Sequence, residues 1–328
     1  FVRDLACSTV ERKCAAVIQG PETRTVRIYE PHYFWDFVEL EEVVEANAIT
    51  WMRTPGASGE ILMLSDGRRI KFSSAGGELR AGSLAPGWAI SGLAVARSGT
   101  IAVAYPETTL AFLIFDPRNV ATSSTGLSCT NPAAACSSVD ASELSLKLGA
   151  ISDGATVRQA EVYRPLGADD AMIYLLFEGD DRIGLALADS SRNLLSDESG
   201  LVSLGQRVRF IASFKEYSSL FLATDPDAGD PGAYWAWMSF FAEDHQNPYQ
   251  LTLPPGACPS ALDAQRTNTA LLLADDCTPA LWEVPLDQDG VPQGEGFVKH
   301  ELRDCVPFLL SSVPKAGEEE AATFVGCK

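Results

Sequence analysis

Apolar and polar positions alternate with a period of two along most of this chain, and glycine, aspartate and proline break the alternation at short intervals. Glu60-Ile-Leu-Met-Leu-Ser-Asp66 turns at Gly67 and resumes as Arg69-Ile-Lys-Phe72. Ala171-Met-Ile-Tyr-Leu-Leu-Phe177 turns at Glu178-Gly-Asp-Asp181 and returns as Arg182-Ile-Gly-Leu-Ala-Leu-Ala188. Segments of this kind read as strands joined by hairpins, and those apolar on both faces belong inside stacked sheets. Two stretches suggest helix. Phe37 to Ala46 is rich in helix formers, although its alternation also suits an outer strand, and Ser142 to Leu148 is long enough for a short helical turn.

The strands group into units of residues 1–45, 46–86, 87–150, 151–203, 204–256, 257–303 and 304–328, a spacing typical of propeller blades. The expected fold is therefore all-β: a β-propeller domain over residues 1–328, with seven blades favoured. Six remains open because the last unit holds only two strands. A β-sandwich is the alternative, but it does not require strands to recur in threes and fours. Closure by completing one blade from both chain ends predicts that Phe1 and Lys328 lie near each other.

One unit adds a resemblance. Ile90-Ser-Gly-Leu-Ala-Val-Ala-Arg-Ser-Gly-Thr-Ile-Ala-Val-Ala-Tyr105, followed by Leu113-Ile-Phe-Asp-Pro117, resembles a blade of the YVTN/NHL-type propellers. Such blades run as an inner strand, a Ser/Asp-Gly turn, a second strand, and a third that ends in an aspartate turn. The resemblance covers a single blade and implies architecture, not activity. The Gly-His…Trp-Asp pair of WD40 repeats, the Tyr-Trp-Thr-Asp motif and the kelch double glycine are absent.

The eight cysteines sharpen the picture. Paired residues of a hairpin lie symmetrically about its turn. Cys258 and Cys277 centre on the polar Thr267-Asn268, Cys305 and Cys327 on Ala316, and Cys7 and Cys14 on Val10-Glu11. Each midpoint is a plausible hairpin tip, so these cysteines are expected to pair. Cys129 and Cys136 are then expected to close a projecting Ser-, Pro- and Ala-rich loop on itself. Zinc is disfavoured, because the close pairs have six intervening residues and the histidines are only His32, His245 and His300. Disulfides imply an oxidising, extracytoplasmic address: periplasmic, outer-surface or secreted. A chain starting at Phe1 without a leader fits a processed or trimmed product.

With 46% hydrophobic residues, the 328-residue chain is able to bury a large core. No apolar run reaches the ~18 residues of a membrane span, and the longest, Ala89 to Tyr105, is broken by Ser91, Gly92, Arg97, Ser98 and Gly99. A net charge of −19, from 44 acidic and 25 basic residues, opposes nucleic acid as a partner.

Enzymatic signatures are missing. Gly56-Ala-Ser-Gly59 lacks the spacing of a nucleophile elbow, and no phosphate-binding glycine loop occurs. Asp225, Asp227 and Asp230 are candidate Ca²⁺ ligands, as are Asp287 and Asp289, although ordinary turn chemistry accounts for both loops more economically. Trp235 and Trp237 share one face of a strand, placed either to stack on a ligand such as a sugar or to pack between blades. His32, Tyr33, Phe34, Trp35 and Phe37 form an apolar connection expected to dock a protein partner, with Glu39 to Glu42 beside it as a solvated face. The expected function is a non-enzymatic binding or scaffold module of the cell envelope or extracellular space, facing a protein partner or larger assembly. The alternatives are a sugar-binding propeller and a metal-dependent lactonase-like hydrolase. The hydrolase would draw channel ligands from Asn47, Arg158, Glu161 and Asp263.

Overall fold

The computed structural model describes the chain except at positions 9, 31–32, 44, 55–58, 97, 130–135, 165–167, 179, 204–206, 215–218, 225–232, 238–248, 252–256, 265–269, 287–292, 294–295, 315–320 and 328. Its strands form sheets that follow one another along the chain. The first sheet holds β1 (Val2–Ser8), β2 (Lys13–Gln19), β3 (Arg24–Glu30) and β4 (Tyr33–Glu39). The second holds β5 (Ala48–Arg53), β6 (Glu60–Ser65), β7 (Ile70–Ser73) and β8 (Leu79–Ala85). The third begins with β9 (Gly92–Val95), β10 (Ala102–Tyr105) and β11 (Phe112–Phe115). It is interrupted by α1 (Pro117–Thr122) and β12 (Gly126–Ser128), and is completed by β13 (Cys136–Val139) before α2 (Ala141–Leu148).

The fourth sheet holds β14 (Thr156–Tyr163), β15 (Ala171–Glu178), β16 (Arg182–Ala188) and β17 (Leu194–Ser203). The fifth holds β18 (Val208–Phe214), β19 (Ser219–Thr224), β20 (Ala233–Trp237) and β21 (Tyr249–Leu251). The sixth holds β22 (Pro259–Ala264), β23 (Ala270–Asp275), β24 (Ala280–Pro285) and β25 (Val298–Glu301). The last is the hairpin of β26 (Pro307–Pro314) and β27 (Ala321–Cys327).

The innermost strands β1, β5, β9, β14, β18, β22 and β26 contact one another in that order, and β26 returns to β1. The fold is a β-propeller, and the sandwich alternative fails. The expected blade count is also corrected. Five sheets are four-stranded blades; the second is widened to five strands and the last has only two. Apolar layers between facing sheets supply the core, as where Phe112 and Ile114 meet Val157, Ile173 and Phe177. Closure does not use a shared sheet. The β26–β27 hairpin lies beside β1, and the Ser311 hydroxyl accepts the Cys7 N–H at 3.0 Å.

The stretch expected as a connection, from Tyr33 to Phe37, is part of strand β4; of Phe37–Ala46, read as helix or outer strand, the first three residues end that strand and a turn follows at Glu41–Glu42. The loop expected to project between Cys129 and Cys136 lies outside the described residues at 130–135, but its two ends belong to different sheets. Asp116 caps α1 by accepting from the Arg118 N–H at 2.9 Å, with Pro117 at the first helical position. The chain then crosses to the second sheet, where β12 pairs parallel with β8, Gly126 opposite Ser83. Cys129 donates its N–H to Ala85 at 3.1 Å and is disulfide-bonded to Cys136 at the start of β13, the outer edge of the third sheet. This segment is an inter-sheet clasp.

The other disulfides are Cys7–Cys14, Cys258–Cys277 and Cys305–Cys327, with Cα separations of 4.0, 5.4 and 5.1 Å. Cys7 and Cys14 are directly opposed in the β1–β2 ladder, and Cys327 opposes Pro307 where β26 begins. No cysteine is free.

Candidate binding surfaces

β4 is the outermost strand of the first sheet, so one of its edges lacks a neighbour in that sheet. Its ladder to β3 runs Arg27–Glu39, Ile28–Val38 and Tyr29–Phe37, then slips before Glu30–Tyr33. The slip leaves Phe34, Trp35 and Asp36 in an edge bulge, a device that limits uncontrolled edge pairing. Phe37 is 41% exposed. Its ring lies 5.6 Å from that of Tyr29, and the Arg27 guanidinium sits 4.5 Å above it. Arg27 is held by Glu39 at 2.7 Å. A rigid, half-exposed aromatic with a cation over its face is the kind of anchor protein interfaces favour. Of the expected docking residues, Phe37 is placed on this surface and Tyr33, Phe34 and Trp35 lie on β4, while His32 lies outside the described residues.

Around the channel, side chains of one inner strand reach the backbone edge of the next. Asp4 on β1 accepts the Ile49 N–H of β5 at 2.9 Å, and Trp51 returns its indole N–H to Ala6 at 3.0 Å. Gln159 on β14 bonds both the carbonyl and the N–H of Ile211 on β18, at 2.6 and 3.2 Å. Ser260 donates to Pro307 at 2.9 Å. Each inner strand has a free edge, and these clamps satisfy polar groups that would otherwise lie unpaired. Burial pushes the Asp4 carboxyl up to about 6, against the Ile49 and Leu5 amides that lower it. Tyr105 is raised by burial and by the nearby charges of Asp4 and Glu161, while Ala160 bonds its hydroxyl.

The residues named as candidates for a channel metal lie on or beside the inner strands β5, β14 and β22. Asn47 precedes β5, donates to the Ile90 carbonyl at 3.0 Å and accepts from Arg24. Arg158 is exposed on β14, Glu161 accepts from Ser213 at 2.8 Å, and Asp263 lies on β22.

Among the described residues, the one set of three ligand-type side chains with mutually close donor atoms is Cys258, Asp275 and Cys277. Its cysteines are joined to each other, and Asp275 is committed elsewhere. One carboxylate oxygen accepts the N–H groups of Cys258, Cys277 and Thr278 at 3.2, 2.9 and 3.3 Å. The other accepts the Thr278 hydroxyl at 2.7 Å and the Trp282 indole at 2.9 Å. This is a structural hub rather than a metal centre, and Asp275 was not singled out by the sequence. A signal was present: aspartate followed at two and three residues by backbone donors is an Asx-turn pattern, here Asp275-Asp-Cys-Thr278.

Asp225, Asp227, Asp230, Asp287 and Asp289 lie outside the described residues. Trp235 and Trp237 lie on β20, the third strand of the fifth sheet, opposite Phe221 and Ser219.

No family model and no curated protein matches the chain. Solved structures do. Hydrazine synthase of Kuenenia stuttgartiensis superposes with a TM-score of 0.58 at 10% identity, covering 87% of this chain and 76% of that one. Dihydro-heme d1 dehydrogenase NirN in complex with DHE gives 0.57 at 11% identity, and this chain, 97% covered, spans only 59% of its length. A chain of the mitotic checkpoint complex gives 0.55 at 11% identity, with 100% and 90% covered. At such identities the likeness is one of fold alone: this chain shares the β-propeller fold with proteins of unrelated roles.

Proposed function

We propose that the protein is a non-enzymatic binding or scaffold module of an extracytoplasmic compartment, presenting its outer rim to a protein partner. The observation that carries this reading is the outer edge of the first sheet, where exposed Phe37 is stiffened by Arg27 and Tyr29. The four disulfides support an oxidising periplasmic, surface or secreted setting. The YVTN/NHL-like pattern at Ile90–Pro117 agrees with a scaffold role, since it carries turn and strand residues rather than reactive ones. Asn47 and Glu161 are already engaged, with Ile90 and Arg24 and with Ser213, which weighs against the lactonase-like alternative.

Affinity capture from the native envelope fraction, with wild-type and Phe37→Glu baits, tests the proposal. A partner retained by the first and lost by the second is the expected result. Capture indifferent to Phe37, or turnover of lactones by the purified chain, would overturn it.

A further inference from the structure

The rim of the first sheet carries two exposed apolar side chains in a strongly acidic setting. Phe37 and Val38 are consecutive on β4, so they point to opposite faces of the sheet. Each is 41% exposed. Both are held in place. Phe37 lies under Arg27 and beside Tyr29, and Val38 packs so closely on Gly77 that a Cβ there would collide with it. The strand therefore presents an apolar ridge on a fixed frame.

The charge around the ridge is one-sided. Residues 22–45 contain seven acidic residues and, among lysine and arginine, only Arg24 and Arg27. Both arginines are already engaged: Arg27 with Glu39 at 2.7 Å, and Arg24 with Gln19 at 2.7 Å and with Asn47. Glu41 and Glu42 form the turn that follows β4 and are exposed, as is Glu45 beyond them. Glu45 bridges back to Arg24 on β3, which keeps this acidic segment beside the sheet. Four residues of chain lead from Phe37 to Glu41, a span of at most ~14 Å.

We infer that this ridge docks a basic polypeptide segment, whose apolar side chains cover Phe37 and Val38 and whose lysines or arginines meet Glu41 and Glu42. The inference rests on the binding-module reading and deepens it by naming the partner's chemistry. Apolar contact at the ridge supplies the anchor. The glutamates steer the approach and fix the direction in which the segment lies. The same charge opposes other occupants. Anionic lipid, nucleic acid or a second copy of a chain of −19 would bring like charges together at this rim.

The test uses the full chain and a fluorescent synthetic peptide with a Trp-Leu pair flanked by lysines. Two control peptides replace the lysines by glutamate, or the Trp-Leu pair by Ser-Ser. Affinity is read by anisotropy for wild type, Phe37→Ser and Glu41→Gln/Glu42→Gln. A distant pair, Glu107→Gln/Asp153→Asn, removes the same charge from exposed sites by the third and fourth sheets. The lysine peptide is expected to bind wild type and to lose about fivefold or more with Phe37→Ser and with the Glu41/Glu42 pair. The distant pair should cost less than about twofold. Salt should erase the effect of the Glu41/Glu42 pair but keep that of Phe37→Ser. Both control peptides should bind more weakly.

Equal losses from the two charge-removing pairs would mean attraction to the acidic chain as a whole, and would overturn the inference. So would no binding, equal binding of either control peptide, or a Phe37-dependent dimer or phosphatidylserine-vesicle complex. In affinity capture, a native partner that needs Phe37 but ignores Glu41→Gln/Glu42→Gln sinks the basic-partner inference and leaves the binding-module reading standing. Capture indifferent to Phe37 sinks both.

Discussion

The first sheet is flanked by two neighbours that depart from the four-stranded plan in opposite directions, and its two faces differ. On the side of the second sheet, widened by β12, Ala15, Val17, Val26 and Ile28 are no more than 2% exposed. On the side of the two-stranded sheet, Arg27 and Tyr29 are half-buried and Phe37 is exposed. The difference lies in β3, where Val26 and Ile28 are buried but Arg27 and Tyr29 are not; at the outer strand the two faces are alike, Val38 being 41% exposed as Phe37 is. On the wide side, an insertion from the third sheet supplies the extra strand and a disulfide fixes it. On the narrow side no described segment does so, and the aromatic and aliphatic groups there remain half-open.

The largest effect is expected where the narrow side is anchored. Asp275 ends β23 and gathers five donors from Cys258, Cys277, Thr278 and Trp282. Asp275→Ala strands these donors in a buried site and should cost about 4 kcal/mol, read as a fall in the urea midpoint. Trp282 fluorescence should report the loosened indole. If the variant unfolds like wild type, the hub does not hold this wall.

The disulfides allow a direct comparison of the two sides. By loop entropy, removing Cys305–Cys327 should cost about 3 kcal/mol and removing Cys129–Cys136 slightly less, about 2.5 kcal/mol. The difference in location is the sharper reading. The Cys305→Ser/Cys327→Ser protein should speed exchange in β26 and β27, whereas Cys129→Ser/Cys136→Ser should release β12 and β13. Identical exchange patterns would mean that the clasp and the hairpin tie do not act locally.

What the sequence revealed follows from what is local. Hairpins such as Glu60–Phe72 and Ala171–Ala188 were legible because alternation and turn residues are nearest-neighbour properties, and the sheets begin close to the boundaries the pattern predicts. β12 was not legible. Gly126-Leu-Ser carries no sign that it joins a strand of the preceding unit, and packing brings α1, which leads into it, against β8: a Cβ at Gly82 would lie 2.1 Å from the Val120 carbonyl. β4 was read in part as a connection, and Phe37 to Ala46 was left between helix and outer strand because it mixes glutamates and aliphatics in a way that suits either element. The blade count failed because sheet width depends on contacts that strand spacing does not encode. The clamps of the inner ring were equally hidden, since Asp4 to Ile49 and Ser311 to Cys7 join a side chain to distant backbone.

One of those clamps gives the next prediction. Asp4 ties the first sheet to the second, the wide side of the comparison. Its carboxyl titrates near 6 when folded and near the usual aspartate value when unfolded. The folded state therefore prefers the proton. That stabilisation is complete below the unfolded value and is lost as pH rises through about 6, so the melting temperature should fall between about pH 5 and pH 7.5 by the equivalent of roughly 1.4 kcal/mol. Asp66, Asp180 and Asp189 are shifted downward and act with the opposite sign, below the ordinary carboxylate range. Asp4→Asn should flatten the slope, and an unchanged slope would locate the proton elsewhere.

The smallest effect on stability is expected at Phe37, the residue proposed to anchor a partner. Phe37 lies under Arg27 and beside Tyr29 on the half-open face, so Phe37→Ser removes a cation–π contact and an aromatic pair from a site already exposed to water. Its cost should be below about 1 kcal/mol. The corresponding change on the wide face, Ile28→Ser, places a hydroxyl among Trp51, Leu62 and Leu64 and should cost several times more. The ratio of the two losses, measured as shifts in the same urea midpoint, reports how far the narrow side is open. A ratio near one would mean that the faces are equally packed.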